Sequence, residues 1–439
     1  MKRRTVQLVL ATILCSSAAM GQINCLSGPA ANKLVCEWPL STQVFRNNGA
    51  LGLGSNQQLS GNTALKAAEA INVGIASQVS QLPLATASAG AVVVYHAGVP
   101  ETFNNLGPIL IDRAQTVGRH RLFIGFTASQ FVFTDVDGFP LKKLPFAFES
   151  TAYQPGTTTV VSNTYTTEQA NARFKINQFL AVGTFGLTNR VDMSVIVPVE
   201  YVSLGATAQN SISYTVNSNN QVVEGPYSNP SAYSAGTASG VGDVTVNGKG
   251  VLWSGERASV AAGLNVRIPT GDDLNLLGSG AWGFTPSIVY SYLGRVSPHA
   301  KFGYEWNTTS ELNNPTLTAG GNKQLPGGMQ YDIGADWAMN KKVTIATDLL
   351  GSQFLNTPEL LVGTVSVSCS STVQGTCPQN NEIPASNTGI ASYTINNASV
   401  GLKWNPARNL VLSANGLFQI NNTGLRSRPT PLIGISYKF

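Results

Sequence analysis

From about Arg119 to Phe439, apolar side chains recur at every second residue, in runs too long for most soluble sheets. Ala258, Val260, Ala262, Leu264, Val266 and Ile268 share one face, with Ser259, Ala261, Gly263, Asn265 and Arg267 between them. Trp282, Phe284, Ile288, Tyr290 and Tyr292 repeat the pattern, as do Val191, Met193, Val195, Val197, Val199 and Tyr201. A period of two is that of a β-strand with one apolar face. Strands of globular proteins average about five or six residues, whereas a tilted strand needs roughly 9–11 to cross a bilayer. A secreted β-sandwich also alternates. It would not, however, commit Trp, Phe and Tyr to a face it had to keep dispersed in water.

Twelve segments carry this pattern, at about 119–134, 170–185, 190–204, 241–253, 258–268, 281–292, 299–308, 328–338, 342–352, 392–404, 409–420 and 430–439. Five connections are short (186–189, 254–257, 293–298, 339–341 and 405–408), and three of those alternating with them are long (135–169, 205–240 and 353–391). Short turns at one rim and long loops at the other mark a transmembrane β-barrel. The fold class expected is therefore all-β: an outer-membrane barrel of about 12 antiparallel strands, with 14 left open, in the bacterial outer membrane. Trp253, Trp282, Tyr292, Trp306, Trp337 and Trp404 fall near strand ends, as interfacial girdles require. The final alternation of Ile433, Ile435, Tyr437 and Phe439 resembles the C-terminal signal read by the barrel-assembly machinery, with Tyr437 and Phe439 as its aromatic positions.

Composition agrees. Charged residues make up 11% of the 439, against about 25% in ordinary domains. That excludes coiled coils and charged disordered tails. Residues 1–21 read as a signal peptide: Lys2, Arg3 and Arg4, an apolar core over 6–15, and small residues Ala19 and Gly21 before the cut. Losing those three cations lowers the net charge from +5 to +2, which leaves no electrostatic basis for nucleic-acid binding. The four remaining cysteines form two local pairs, Cys25 with Cys36 and Cys369 with Cys377, and suggest two disulfides in an exported chain.

Residues 22–117 differ in character. Leu65, Ala68, Ile71, Ile75, Val79 and Leu82 predict a helix over 63–82, and 107–118 reads as a second short helical piece. Residues 22–117 are expected to be a partly helical plug, or else a periplasmic appendage, with 118–439 as the barrel. Arg113 is the plug residue expected to meet a carboxylate of the wall.

If the apolar faces meet lipid, the opposite faces line the lumen. They supply Arg173, Lys175, Lys249, Arg267, Lys301 and Lys403 against Asp192, Glu200, Asp243, Glu305, Asp332, Asp336 and Asp348. The signs nearly balance, which does not favour an ion-selective pore. The three histidines, His96, His120 and His299, lie in no nucleophile motif, and no G-x-S-x-G occurs. Catalysis, a metal and a cofactor are not expected. The acidic clusters Asp135–Gly138 and Gly271–Asp273 fall short of a calcium loop and read as turns.

Two glycine–aspartate motifs add a resemblance. Ser239-Gly240-Val241-Gly242-Asp243-Val244 and then Gly263-Leu264-Asn265-Val266-Arg267-Ile268-Pro269-Thr270-Gly271-Asp272 resemble an outer-membrane channel family named for the meta-pathway of phenol degradation. Phe185–Asp192 is similar to that family's G-L-T-D-R-x-D turn, with Asn189 in place of the usual Asp. Residues 107–119 are faintly similar to FadL-type channels. The resemblance covers roughly 107–439 and implies a channel that passively admits small hydrophobic or aromatic solutes. Phe131, Phe133, Phe139, Phe146 and Phe148 would be contacts for such a solute, or would pack the first long loop against itself. The expected partners are outer-membrane lipid, the assembly machinery and the solute. The rival reading is a non-conducting barrel serving as adhesin or structural anchor.

Overall fold

A computed structural model of the chain describes residues 33–36, 57–62, 71–78, 92–96, 99–103, 106, 110, 112–313, 324–407 and 409–439. No helix among them is long and apolar enough to cross a membrane. Strands make the wall instead.

Twelve antiparallel strands follow one another around it: β1 Leu122–Val136, β2 Val160–Gly186, β3 Val191–Asn217, β4 Ala232–Val241 continued by Val244–Ser254, β5 Ala258–Ile268 and β6 Gly283–Tyr292. Then come β7 Val296–Tyr304, β8 Met329–Ala338, β9 Val343–Ser366, β10 Glu382–Ala407, β11 Leu410–Gln419 and β12 Thr430–Lys438. Each pairs with its neighbour in sequence, and β12 returns to β1 in the register Leu432↔Ser129 to Lys438↔Phe123, which closes the barrel. Closure gives every strand two partners, so the wall exposes no unpaired edge to lipid.

The expected alternation sorts the side chains. Ile288, Phe302 and Ile433 stand 58%, 57% and 63% exposed, while their neighbours turn inward. Trp253, Trp337, Trp404, Tyr437 and Phe439 ring the short-turn end, and Trp282, Phe284 and Trp306 mark the other end of the belt. This is an outer-membrane barrel, with an apolar band and aromatic girdles at both interfaces.

The three long connections are a correction. Much of 135–169, 205–240 and 353–391 is not loop: β2, β3, β9 and β10 continue as paired strands well beyond the belt. Their outward apolar face ends there, so the membrane period disappears from the sequence while the backbone ladder persists. Hydroxyls take over, with Thr164 Oγ1 3.1 Å from Thr215 Oγ1 and Thr166 Oγ1 2.7 Å from Ser213 Oγ. The Cys369–Cys377 disulfide closes the tip between β9 and β10. Cys36 is buried, and its expected partner Cys25 lies outside the described residues, as does the expected signal peptide.

Residues 71–76 and 112–117 of the N-terminal segment pack against the inner face of the wall. Residues 71–78 are α-helical, and Ile71, Ile75 and Ala76 join one buried cluster with inward residues of the wall. The rest of the expected helix, 63–70 and 79–82, lies outside the described residues. The backbone of Gln57–Asn62 pairs with Leu144–Tyr153 in the first long connection. The expected helical piece over 107–118 is irregular in its described residues 112–118. The physical reason is that its amides bond outward: Ala114 N–H donates to Ser291 Oγ and Val117 N–H to Asp192 Oδ2.

Placing a cation in the middle of the apolar belt should cost about 2–4 kcal/mol. Ile288→Arg is therefore expected to lower the stability of the refolded barrel in lipid vesicles by that amount in a urea titration. Ile288→Leu should leave it within error.

Candidate functional site: a filled lumen

The inner face divides into two levels. Toward the long-loop side, Phe131, Phe133, Phe174, Ile176, Val202 and Leu204 turn inward and pack with Ile71 and Ile75 of the N-terminal helix. Phe146 and Phe148, from the first long connection, complete this cluster at 0% and 3% exposure, and Phe139 packs on its margin. Phe133 and Phe174 stack with ring centroids 4.8 Å apart. The five phenylalanines singled out in the sequence thus come together, but as an apolar seal against the N-terminal segment and not around an open cavity.

Toward the short turns the contacts become polar. Lys249 Nζ donates to Asp112 Oδ1 at 3.0 Å and to the carbonyls of Arg113 and Gln115 at 2.6 and 3.1 Å. Arg113 Nη2 lies 3.7 Å from Asp336 Oδ2. His299 bridges the same patch, with Nδ1 3.6 Å from Asp336 Oδ2 and Nε2 3.0 Å from Asp348 Oδ1. Lys403 Nζ donates to the carbonyl of Leu106, and Leu106 N–H donates to Thr344 Oγ1. Ser399 Oγ donates to Asp348, not to the imidazole, so these three side chains form no Ser–His pair.

A second charged group sits higher. Arg267 reaches Glu305 Oε1 at 2.9 Å, Asn307 Oδ1 at 2.6 Å and Asp243 Oδ2 at 3.8 Å. Gln330 donates to Glu305, and Gln178 to Glu200. Lys301 and Asp332 are register partners on β7 and β8.

Two of the residues assigned to the lumen are not there. Arg173 and Lys175 share the outward face of β2 with Phe179 and Phe185, and the inward positions are Ala172, Phe174, Ile176 and Gln178. On this strand both faces are largely apolar, because the inner face meets the N-terminal segment and not water. Apolarity alone therefore misassigned the parity. Without that pair the wall contributes four inward cations, Lys249, Arg267, Lys301 and Lys403, against the seven named carboxylates. Arg113 and the backbone N–H of Val117 come from the N-terminal segment to meet this excess. Sequence reading put His299 on the lumenal register, where it is buried, but missed Asp112 and Arg426 as members of the interior. Arg426 secures the connection between β11 and β12 through the carbonyls of Asn421 and Asn396.

The glycine–aspartate motifs form one architectural unit. β4 breaks at Gly242-Asp243, where Asp243 accepts from Ser279 N–H at 2.8 Å, Ser279 Oγ at 2.5 Å and Gly271 N–H at 3.2 Å. Thr270 Oγ1 donates to the Gly242 carbonyl and accepts from Val244 N–H. A Cβ on Gly271 would lie 2.5 Å from the carbonyl oxygen of Leu277, so the turn admits only glycine there. The acidic clusters serve as turns too. Asp137 accepts from the N–H groups of Leu360 and Gly424, and burial pushes its carboxyl up from the ordinary range. At Asp272 burial also pushes upward, but hydrogen bonds from Lys33 and Asn275 and the Lys33 charge bring the carboxyl below its usual value.

Removing one partner of a buried ion pair costs about 3–5 kcal/mol because the other is left uncompensated. Arg113→Ala should therefore destabilise the folded chain by roughly that amount in urea titration and expose the N-terminal segment to added protease. Asp336→Asn in the same background should recover much of the loss.

By fold the chain is similar to an outer membrane channel from Pseudomonas putida F1, at 11% identity and a TM-score of 0.44, covering 75% of this chain and all of that one. It is also similar to a FadL homologue of Pseudomonas aeruginosa (8% identity, TM-score 0.30, covering 73% of this chain and 90% of that one). A third likeness is to the toluene transporter TodX of Pseudomonas putida (9% identity, TM-score 0.26, covering 76% and 94%). A search of curated proteins by sequence matched none. A family profile does match, over residues 150–367, a span that includes the Gly242-Asp243 break and the Pro269–Asp272 turn bound to it. Over these residues the chain matches the family described as "Putative MetA-pathway of phenol degradation".

Proposed function

We propose that this barrel is a passive outer-membrane channel for small hydrophobic or aromatic solutes, with residues 22–117 acting as its plug. The observation that carries the reading is the apolar upper lumen, where wall phenylalanines and the N-terminal helix share one cluster. A hydrated ion gains nothing from such a lining. An apolar solute exchanges contact with water for contact with Phe131, Phe133, Phe146 and Phe148, at about 25 cal/mol per Å² of surface removed from water. The charged lower lumen holds the segment by ion pairs and hydrogen bonds that can exchange with water one at a time. The family's description, which refers to phenol degradation, fits a small aromatic cargo. The mechanism needs no covalent chemistry. Binding at the seal, displacement within the plug and diffusion down a concentration gradient suffice. The strand ending in Tyr437 and Phe439 would be the part handed to the assembly machinery.

Planar-bilayer recording tests this. The intact mature protein should show small or rare conductance steps, and a variant lacking residues 22–117 should show large, discrete ones. Lys249→Met, which removes three contacts to the segment, should fall between. Liposomes carrying the intact protein should take up a phenolic solute faster than a sugar of similar mass. A folded barrel that conducts in no form and passes no phenolic solute would transfer support to a surface anchor, which the tall β2–β3 and β9–β10 extensions would suit.

A further inference from the structure

The outward face of β12, β1, β2 and β3 changes character in regular steps. Near mid-membrane, Ile435, Phe126, Ala181 and Val197 form one cross-strand row, and Ile433, Ala128, Phe179 and Val199 the next. Ala128 and Ala181 are small among bulky neighbours, and they leave an outward groove of about 500 Å³ whose lining is almost wholly apolar. One row higher, Gln130 donates to Asn177 Oδ1 at 2.8 Å beside Tyr201. Above that pair come Lys175 and then Arg173 on β2, with Arg428 across β1 from Lys175, its N–H on the Val132 carbonyl. Arg173 and Arg428 are exposed and Lys175 is half-buried. None of the three forms an ion pair among the described residues. The outward positions of these rows on β1, β2 and β3 hold no Asp or Glu.

Height fixes what this surface meets. Lys175 lies ten residues along β2 from Phe185 at the short-turn rim. At about 3.3 Å per residue and roughly 40° of tilt, that is about 25 Å, the height of a barrel's apolar band. Three unpaired cations thus stand where acyl chains give way to headgroups on the long-loop side. An amide pair lies beneath them and an apolar groove beneath that, and the groove's volume is within the roughly 300–1,000 Å³ of small-ligand sites.

We infer that this face is a seat for a phosphorylated lipid of the outer leaflet. An acyl chain lies over Ala128 and Ala181, the linkage region meets Gln130 and Asn177, and the phosphate is held by Arg173, Lys175 and Arg428. Guanidinium groups bind phosphate through paired charge-assisted hydrogen bonds, and the ammonium adds a point charge. A neutral aromatic solute in the groove would use none of these cations, and that decides between the two occupants.

The test uses the full mature chain, refolded in an uncharged detergent, with bis-phosphorylated hexa-acyl lipid A as the probe and native mass spectrometry as the readout. Wild type should retain one molecule at least tenfold more tightly than the same lipid stripped of phosphate. The variant R173Q/K175Q/R428Q should lose at least tenfold in retention, and A128L/A181L should lose a similar factor by filling the groove. Both variants should keep the heat-modifiable gel mobility of a folded barrel. Equal retention by wild type and the triple variant would overturn the proposal. Equal retention of the stripped lipid would assign the groove to a purely apolar occupant. Displacement of the probe by millimolar inorganic phosphate would reduce the cations to a simple anion site.

Discussion

A backbone in hydrocarbon has no water to satisfy its N–H and C=O groups, and everything else in this chain depends on how that requirement is met. The ladder from Leu432↔Ser129 to Lys438↔Phe123 is the last set of bonds needed. Once it forms, each of the twelve strands is paired on both sides, and the side chains are free to divide by environment. The outward ones then answer to lipid, and the inward ones to whatever occupies the lumen.

Here the occupant is the chain itself, and this changes the physics of the inner wall. An open pore would keep its seven inward carboxylates solvated. In the filled lumen, Asp336 and Asp192 are buried and take partners from the N-terminal segment. Above them one side of the wall packs Phe131, Phe174 and Ile176 against the helix as a soluble core would, while Arg267, Glu305 and Asp243 keep a charged group at the other. The lumen combines an apolar cluster toward the long loops with hydrogen-bonded and ion-paired contacts toward the short turns.

The wall was legible in the sequence wherever lipid imposed its period. Ala258–Ile268 and Trp282–Tyr292 alternate cleanly because one side meets hydrocarbon and the other small polar groups, and both were placed to within a residue or two. Legibility failed where that contrast disappears. On β2 the inner residues Phe174, Ile176 and Leu180 are as apolar as a lipid face, so Arg173 and Lys175 were assigned to the wrong side. Above the belt, Thr164, Thr166, Ser213 and Thr215 pair as well as any strand but carry no apolar stripe, and they read as loop. Of the interior, Arg113 could be anticipated as a cation facing a carboxylate-rich wall. The bridging position of His299 depends on three strands coming together, and no local pattern records that.

The order of the chain adds one more consequence. The N-terminal segment precedes β1. Lys33 meets Asp272 near the long-loop rim, and Val117 meets Asp192 near the short-turn rim, so the segment spans the interior before the wall begins. The seam between β1 and β12 joins the first strand made to the last. The stretch that emerges earliest is therefore in place to be wrapped, and the final nine-residue strand Thr430–Lys438 works like the last stave of a cask, set once the contents are inside. A barrel closed in this way need never be reopened to receive its N-terminal segment.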